Sequence, residues 1–401
     1  MASSNGHKAH STPSHMMRSL SGDGYGRGGK AFSPGRPLRI AMVMPPWYEV
    51  PPAGYGGLER VCASLIDGLV DLGHEVTLFG AGTKTGTKAR FVSTNPELQS
   101  PRLLEAMPEL VHVTRVNELL EQERFDIVHD HSTIGPITAA QRNIPTVVTV
   151  HSNPVGEVAE YLSRVDHQVS LVAISHAQRR VAPDLAWHST IHHGIEVDGP
   201  VKPEPSAGPV LWLGRFAADK GPDTAIEACR KANLPLVLAG KANQKDEWRY
   251  LDEVIRPMLG DDVELVLNAD RARTDALLYE ARALLLPIRW EEPFGMVLIE
   301  AMAKGTPVVA TRRGAIPEVI LHGRTGMICP DEADLPDALH EVSSMDPADC
   351  AEHVRTMFSV PLMARRYERT FRQILTQRAR NFASAAFPRD RVAAAVRAAR
   401  Y

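Results

Sequence analysis

The chain has 401 residues, of which 44% are hydrophobic and 23% charged, and its formal net charge is -3. At about 150 residues per domain, this length predicts two domains, each large enough to bury its own core. The near-neutral charge argues against nucleic acid as the main partner, and no apolar run approaches the roughly 18 residues that a membrane-spanning helix needs.

The first segment, residues 1–36, is rich in Ser, Gly and His and contains no apolar stretch. It is therefore not a secretory signal, because such a signal needs an apolar centre. Its few acids and its Arg and Ser residues also fit an organelle transit segment. The composition is more typical of a disordered tail, which is what we predict.

From Leu38 onward, short apolar runs alternate with amphipathic stretches. Residues 37–197 contain the runs LRIAMVMP, HEVTLFGAG, FDIVHDH, TVVTVHS and VSLVAIS, which we predict to be strands. Helical spacing of apolar residues marks GLERVCASLIDGLVDLG and GEVAEYLSRV between them. Strands that alternate with helices predict βαβ units, so this segment is expected to form a first Rossmann-like domain on a parallel sheet.

A Pro/Gly-rich stretch, residues 197–209, interrupts the alternation and suits an interdomain linker. Residues 198–370 resume it, with VLWLGRF, LPLVLAG, VELVLN, ALLLPI, TPVVAT and GMICP as predicted strands. The fold class is therefore α/β, with two doubly wound parallel-sheet domains and a ligand site in the cleft between them. Residues 371–401 predict an Arg/Ala-rich helical extension, solvated by default, with peripheral contact to an anionic membrane as the alternative.

The loop PPAGYGGLERV follows the first predicted strand and brings glycines to the start of a helix. Gly54, Gly56 and Gly57 would let the backbone approach a ligand at the helix N-terminus. One alternative is a dinucleotide-binding fingerprint, but Glu59 replaces its last glycine and the next strand lacks the expected acid. The other alternative is a glycine turn without a ligand.

Two basic residues, Arg215 and Lys220, lie in the strand-to-helix loop LWLGRFAADKGPD. A guanidinium group can bind two phosphate oxygens at once, and an ammonium group adds a compact charge. The loop therefore predicts a diphosphate site. The alternative is a pair of solvated basic side chains without a ligand.

Glu292 and Glu300 stand on either side of the turn in EEPFGMVLIEAMAKG, where a strand becomes a helix. The helix N-terminus near Gly295, Met296 and Val297 offers unpaired N–H groups that favour a phosphate. Glu300 lies about 6 Å further along the helix than Met296, where it can accept hydrogen bonds from a ribose. Glu292 can meet hydroxyls of a sugar attached to the diphosphate. The pair predicts a nucleotide-diphosphate-sugar site, with a glycosidase acid pair as the alternative.

Histidines recur near the ends of predicted strands. His129 and His131 share one face of a strand, but no third ligand has a recognisable metal-site spacing. We interpret them, like His192 and His193, as strand-end histidines. His151 ends a predicted strand at the cleft, where a neutral imidazole can hydrogen-bond a substrate hydroxyl. The cysteines lie far apart and predict small buried side chains in a reducing cytoplasm: Cys62, Cys229, Cys329 and Cys350.

Four of these motifs in order, GGLERV, VTVH, LGRFAADKG and EPFGMVLIEAMAKGTPVVAT, resemble the retaining glycosyltransferases of family 4, which have the GT-B fold. The resemblance covers about residues 38–370, and its most specific element is the pair of glutamates separated by seven residues. Many relatives carry Gly where this chain has Pro293, which fixes the local backbone. Glu291 is therefore an alternative sugar contact, although the spacing to Glu300 favours Glu292.

The resemblance also implies a role for each site residue. The residues that match Arg215 and Lys220 neutralise the donor diphosphate, and the one that matches Glu300 holds the ribose. Those that match Glu292 and His151 contact the donor sugar and are the candidate catalytic residues. Further donor contacts, largely through backbone N–H groups, are implied at Gly56, Gly57, Phe294, Gly295, Met296 and Val297.

The implied reaction moves a sugar from a UDP- or GDP-sugar to an acceptor hydroxyl with retention of configuration, by front-face substitution. It needs no metal and no cofactor beyond the nucleotide sugar. UDP is slightly favoured, and the acceptor is left open among sugars, lipids and small molecules. The alternatives are a sugar phosphorylase or nucleotide-sugar epimerase on this architecture, and a nucleotide-sugar-binding protein without turnover.

Overall fold

A computed structural model of the protein describes residues 35–52, 56–103, 105–197 and 199–386. Almost all of the predicted N-terminal tail, the glycine at position 54 and the end of the C-terminal extension lie outside these residues. Among the described helices, none combines the length and the hydropathy that spanning a membrane requires. Peripheral contact with a membrane stays a prediction.

Seven parallel strands form the first sheet: β1 (Arg39–Val43), β2 (Glu75–Ala81), β3 (Arg90–Asn95), β4 (Ile127–Asp130), β5 (Thr146–Val150), β6 (Ser170–Ala173) and β7 (Trp187–Thr190). Their spatial order is β3-β2-β1-β4-β5-β6-β7. Because β1 pairs with β2 on one side and with β4 on the other, the order reverses beside β1. A crevice forms at such a reversal, outside the carboxyl ends of the strands.

Six parallel strands form the second sheet: β8 (Val210–Arg215), β9 (Leu236–Lys241), β10 (Val263–Leu267), β11 (Leu284–Leu286), β12 (Val308–Thr311) and β13 (Gly326–Cys329). Their order is β10-β9-β8-β11-β12-β13, so this sheet reverses beside β8. Buried apolar side chains lie on both faces of the sheet in two separate clusters. The two doubly wound sheets confirm the predicted α/β fold class.

Helices cover the faces of both sheets. The first helix buries Val61, Leu65 and Leu69, which recur at helical spacing. It ends before Gly73, whose φ of 88° is a left-handed conformation typical of a helix end. The helices are α1 (Gly57–Asp71), α2 (Ala106–Gln122), α3 (Glu157–Val165), α4 (His176–Val181), α5 (Pro222–Lys231), α6 (Lys245–Tyr250), α7 (Arg256–Met258), α8 (Arg271–Glu280), α9 (Met296–Ala303), α10 (Ile316–Val319), α11 (Leu335–Glu341), α12 (Pro347–Met357) and α13 (Val360–Ala386).

The last helix, α13, packs back onto the first domain. Tyr367 is 1% exposed, and its hydroxyl lies 2.9 Å from Thr149 Oγ1 in β5. A Cβ on Gly68 of α1 would lie 2.9 Å from Val360 Cγ1, so the glycine allows the two helices to approach closely. Position 371, where the C-terminal extension is predicted to begin, falls inside this helix. The helix continues there because its apolar face, including Phe371, stays buried.

Two strands of the first sheet have no apolar run that would predict them. β3 reads RFVSTN and β7 reads WHST, and most of their side chains are exposed or half-buried. Both stand at the edges of the sheet, where only part of each strand contacts the core. Edge strands therefore tolerate polar residues, and such residues hide the apolar pattern by which a strand is predicted from sequence.

Candidate active site

A cavity of about 580 Å³ lies between the two domains, at the carboxyl ends of β5, β8, β9 and β11 and at the start of α1. It stands where the strand order of both sheets reverses, which is where doubly wound sheets bind ligands. Apart from Gly54, which lies outside the described residues, the predicted catalytic and donor-binding residues border this cavity: Gly56, Gly57, His151, Arg215, Lys220, Glu292, Phe294, Gly295, Met296, Val297 and Glu300.

Lys220 and Glu292 form an ion pair on the second-domain wall of the cavity. Lys220 Nζ lies 2.9 Å from Glu292 Oε2 and 4.1 Å from the centre of the Trp290 ring. The Trp290 indole Nε1–H donates to the same carboxylate oxygen over 3.1 Å. Glu292 is only 8% exposed, and its backbone carbonyl accepts from the Ala315 N–H at 2.8 Å. These contacts hold the carboxylate in one orientation.

Arg215, at the end of β8, is held by Glu247 of α6, to which it donates through Nη1. Glu247 is 2% exposed, and its second oxygen accepts from the backbone N–H groups of Asn243 at 2.7 Å and Gln244 at 3.2 Å. The carboxylate is thus fixed by the start of α6. It fixes the guanidinium group of Arg215 in turn, at the edge of the cavity.

The N-terminus of α9 faces the cavity. Gly295 is its N-cap with a φ of 87°, and a Cβ there would lie 2.7 Å from Leu298 Cδ1. Both the left-handed backbone and the close packing therefore require glycine. The N–H groups of Met296 and Val297, in the first turn, have no intrahelical acceptor and carry the positive end of the helix dipole. Phe294 is 1% exposed and anchors the turn in the core.

Glu300 lies further along α9 and connects both domains. Its Oε1 accepts from Arg60 Nη1 of α1 at 3.0 Å and from Arg271 Nη1 of α8 at 3.2 Å. Because Arg60 belongs to the first domain, this contact crosses the cleft. The carboxylate that we predict to hold a ribose is therefore itself oriented by two guanidinium groups.

Two imidazoles are in contact on the first-domain side: His151 is half-buried and borders the cavity, and His131 beside it is buried. His131 Nε2 lies 3.0 Å from Met42 Sδ, and His131 Nδ1 lies 2.8 Å from His151 Nε2. A thioether sulfur has no proton to donate, so His131 carries its proton on Nε2 and accepts one hydrogen bond on Nδ1. His151 then donates through Nε2 and keeps Nδ1 as an acceptor. Burial lowers the pKa of His151 to about 4 and that of His131 well below its ordinary value, so both are neutral at physiological pH.

Comparison with known proteins identifies the family. Family models described as Glycosyltransferase Family 4 and Glycosyl transferases group 1 match residues 55–156 and 205–355. The chain is 27% identical over 393 residues to glycogen synthase of Mycobacterium tuberculosis, covering 84% of this chain and 90% of that protein. The chain belongs to glycosyltransferase family 4.

Two solved structures share the fold of this glycosyltransferase. AviGT4, a glycosyltransferase involved in avilamycin A biosynthesis, is 25% identical with a TM-score of 0.66, over 85% of this chain and 98% of that chain. Anabaena HepE, solved in complex with UDP-glucose, is 15% identical with a TM-score of 0.64, over 85% of this chain and 100% of that chain. The predicted GT-B fold and the predicted class of enzyme, a retaining transferase that uses a nucleotide sugar, are confirmed. The phosphorylase, epimerase and non-catalytic alternatives are not favoured by these matches.

Glu318 of α10 joins the second domain of the glycosyltransferase to the first. Its Oε2 accepts from the backbone N–H of His176 at 2.8 Å, and its Oε1 accepts from that of Ala177 at 2.5 Å, at the start of α4. His192 Nε2 lies 3.0 Å from Oε2. Burial by itself raises the pKa of Glu318, but these hydrogen bonds outweigh it and lower the pKa below its ordinary value. The ionised carboxylate is thus the favoured form at this contact.

Replacing Glu318 with alanine is expected to lower the free energy of unfolding by about 1–3 kcal/mol, because two backbone N–H groups lose their acceptor. The folded-state pKa is the lower one, so this contribution is complete at neutral pH and is lost as the pH falls through the folded-state value. Chemical denaturation at neutral and acidic pH measures the difference between wild type and Glu318→Ala. A difference that did not shrink at acidic pH would contradict a role for the charged carboxylate.

Several residues of the site in this glycosyltransferase have no sequence motif that reveals them. Trp290 covers Lys220, and Glu247 holds Arg215. The two guanidinium groups on Glu300 come from α1 and α8. Only the position of Trp290, two residues before Glu292 in the same loop, offers a signal that sequence reasoning can use.

Proposed function

We propose that the enzyme transfers a sugar from a UDP-sugar to an acceptor hydroxyl, with the donor bound against the second-domain wall of the cavity. The observation that supports this proposal is the set of charged groups that share one wall. Arg215, Lys220, the start of α9 and two carboxylates, Glu292 and Glu300, all border the cavity. A diphosphate attached to two hydroxyl-bearing sugars offers partners for both kinds of group.

Each residue then has one partner on the donor. Arg215, Lys220 and the first N–H groups of α9 bind the diphosphate. Glu300 accepts hydrogen bonds from the ribose hydroxyls, in the position where Arg60 and Arg271 now orient it. Gly56 and Gly57, at the start of α1, approach the donor from the opposite wall.

The sugar lies between Glu292 and His151. Glu292 accepts from its hydroxyls, and the unprotonated Nδ1 of His151 accepts from another. The bond between the sugar C1 and the diphosphate oxygen breaks as the acceptor oxygen bonds to C1 on the same face. The acceptor proton passes to the leaving diphosphate, whose growing charge Arg215 and Lys220 stabilise. This route uses no enzyme nucleophile.

Uracil is the proposed base because HepE, which shares the fold, was solved with UDP-glucose. The acceptor is proposed to enter from the first-domain side, past His151. Its hydroxyl must reach the sugar C1 on the face of the leaving group, since both bonds change on that face.

Titration calorimetry with UDP and with GDP, each without and with magnesium, tests the donor. We expect metal-independent UDP binding that is tighter than GDP binding. In Glu300→Ala, the Kd for UDP should rise about 10- to 100-fold through loss of charge-assisted hydrogen bonds, with an unchanged melting temperature. Glu227→Ala, an exposed position on α5, is the matched control and should bind UDP like wild type.

Three outcomes would contradict this assignment in different ways. Tighter binding of GDP than of UDP would reject uracil as the base, but a nucleotide-diphosphate sugar would remain the proposed donor. Unchanged UDP affinity in Glu300→Ala would reject its contact with ribose. A large fall in its melting temperature would show that Glu300 mainly holds the two domains together through Arg60.

A further inference from the structure

A thiol and two imidazoles meet in the first domain beside the cavity, and of the three His151 borders it. Cys62 comes from α1, His131 follows β4 and His151 follows β5. Cys62 Sγ lies 3.4 Å from His131 Nδ1, which lies 2.8 Å from His151 Nε2. All three atoms lie within 4.8 Å of one another. The sequence spacing shows no third metal ligand for the pair His129 and His131. The fold brings two possible ligands to His131 from other elements, Cys62 and His151.

These atoms are close to the arrangement that a Zn²⁺ ion requires. Zinc binds sulfur at about 2.3 Å and nitrogen at about 2.0 Å, so two of its ligand atoms lie roughly 3.3–3.6 Å apart. A thiolate and two neutral imidazoles are also the ligand types that soft divalent metals prefer. The two nitrogen atoms, 2.8 Å apart, would have to separate by about half an ångström to admit the ion, and Cys62 Sγ lies within 4.8 Å of His151 Nε2.

A second contact prepares His131 for this role. Met42 Sδ lies 3.0 Å from His131 Nε2, so the proton of this imidazole is held on Nε2 and Nδ1 keeps its lone pair. Metal-binding histidines commonly donate the N–H of the remote nitrogen to a carboxylate, a backbone carbonyl or water, and here the Met42 sulfur takes that place. His131 is 6% exposed and Cys62 is 1% exposed, so the ring and the thiol have little freedom to turn away.

We propose that Cys62, His131 and His151 form a binding site for Zn²⁺ through which the ion inhibits the transferase. The ion enters from the cavity, which His151 borders. The Cys62 thiol gives up its proton to solvent on binding, and the His151 proton moves from Nε2 to Nδ1. His151 then presents an N–H to the cavity instead of an acceptor, and the ion's fourth position is left for water or chloride.

Binding of the ion and inhibition by the ion can be tested separately. Binding of the ion depends only on the three side chains. Inhibition rests on the proposed function, because it requires that His151 accept a hydrogen bond from the donor sugar. Inhibition of this origin is competitive with the UDP-sugar and is reversed when a chelator removes the ion.

Cobalt titration of the purified full-length protein tests the binding. Co²⁺ takes the same ligands as Zn²⁺, and a thiolate ligand adds a charge-transfer band in the near ultraviolet. We expect one Co²⁺ per chain with this band in wild type and in Cys229→Ser, which changes another buried thiol. The band should disappear in Cys62→Ser, and Zn²⁺ should displace Co²⁺ from wild type.

The band in Cys62→Ser, or its absence in wild type, would overturn the site. Circular dichroism checks that Cys62→Ser folds. If it does not, His151→Ala at the cavity wall provides a second ligand deletion for the same titration, and an undiminished Co²⁺ affinity in that variant would also overturn the site.

Turnover of the UDP-sugar in the presence of Zn²⁺ tests the inhibition. Cys62→Ser should raise the Zn²⁺ concentration for half-inhibition about tenfold or more, whereas Cys229→Ser should leave it unchanged. Wild type that binds one Co²⁺ with the thiolate band yet keeps full turnover with Zn²⁺ would reject the inhibition and leave the site standing. Failure of UDP binding in calorimetry, by contrast, concerns the proposed function alone.

Discussion

Lys220→Ala is expected to lower kcat/KM for the UDP-sugar at least about 100-fold. In the proposed function the lysine neutralises charge on the leaving diphosphate, and loss of one charge-assisted contact in a dry cleft costs about 3 kcal/mol. The variant also leaves the 8%-exposed Glu292 without its cation, beside the position of the sugar. Steady-state kinetics across a range of donor concentrations measures the effect.

The control for this prediction is Lys231→Ala, an exposed lysine at the end of α5, which should retain wild-type turnover. Arg215→Ala should lose turnover to a similar extent, because its guanidinium group is proposed to bind the same diphosphate. Near-normal turnover in both Lys220→Ala and Arg215→Ala would contradict the assignment of the diphosphate position. It would leave the assignment of the fold unchanged.

The sequence predicts that the proposed site residues lie at strand ends, for a physical reason. Arg215 directly ends β8, and Glu292 lies in the loop that follows β11, so both stand where an apolar run gives way to a turn. Such positions are set by local pattern. In a doubly wound sheet the carboxyl ends of all strands face one edge, and β8 and β11 are neighbours, so two residues that are far apart in sequence meet there.

The partners of those residues could not be predicted in the same way. Arg60 and Glu300 are 240 positions apart and meet only because the two domains dock. Glu247 reaches Arg215 because α6 begins beside the end of β9, a packing that hydrophobic periodicity does not encode. Periodicity fixes which face of an element is buried, but the contacts of one side chain depend on the neighbouring elements.

The same limit explains the cluster around His131. The sequence places His129 and His131 on one strand face, and the local spacing shows no metal site. Cys62 lies 69 positions before His131 and joins it because α1 follows β1, the strand that pairs with β4. The three residues come from α1 and from the loops after β4 and β5, so their sequence spacing has no recognisable pattern. The cluster is therefore visible only in the folded chain.

Charged side chains that border the cavity are paired with neighbouring charges. Lys220 contacts Glu292, Arg215 contacts Glu247, and Glu300 has two arginines. Pairing keeps these groups oriented in a partly desolvated cleft, where an unpaired charge would be costly. Oriented charges of this kind are the arrangement that stabilises charge at a reacting centre with little reorganisation.

Glu292→Gln separates the sugar contact from the nucleotide contacts and is expected to lower kcat about 100-fold. The amide keeps the shape of the side chain but weakens the charged acceptor that Lys220 and Trp290 orient. The Kd for UDP should change less than about threefold, because UDP lacks the sugar that Glu292 is proposed to contact. Single-turnover kinetics and calorimetry on the same preparation measure the two quantities.

Glu291→Gln is the matched control and decides between the two neighbouring acids. The Glu291 side chain is 54% exposed, and its Oε2 accepts from the Gly314 N–H at 2.7 Å. Its backbone carbonyl, which the substitution preserves, accepts from Asn153 Nδ2 of the first domain at 2.5 Å. Glu291→Gln should therefore keep kcat near wild type. Loss of kcat in Glu291→Gln with normal kcat in Glu292→Gln would move the sugar contact to Glu291. It would also mean that Pro293 turns the loop away from the geometry that the seven-residue spacing implies.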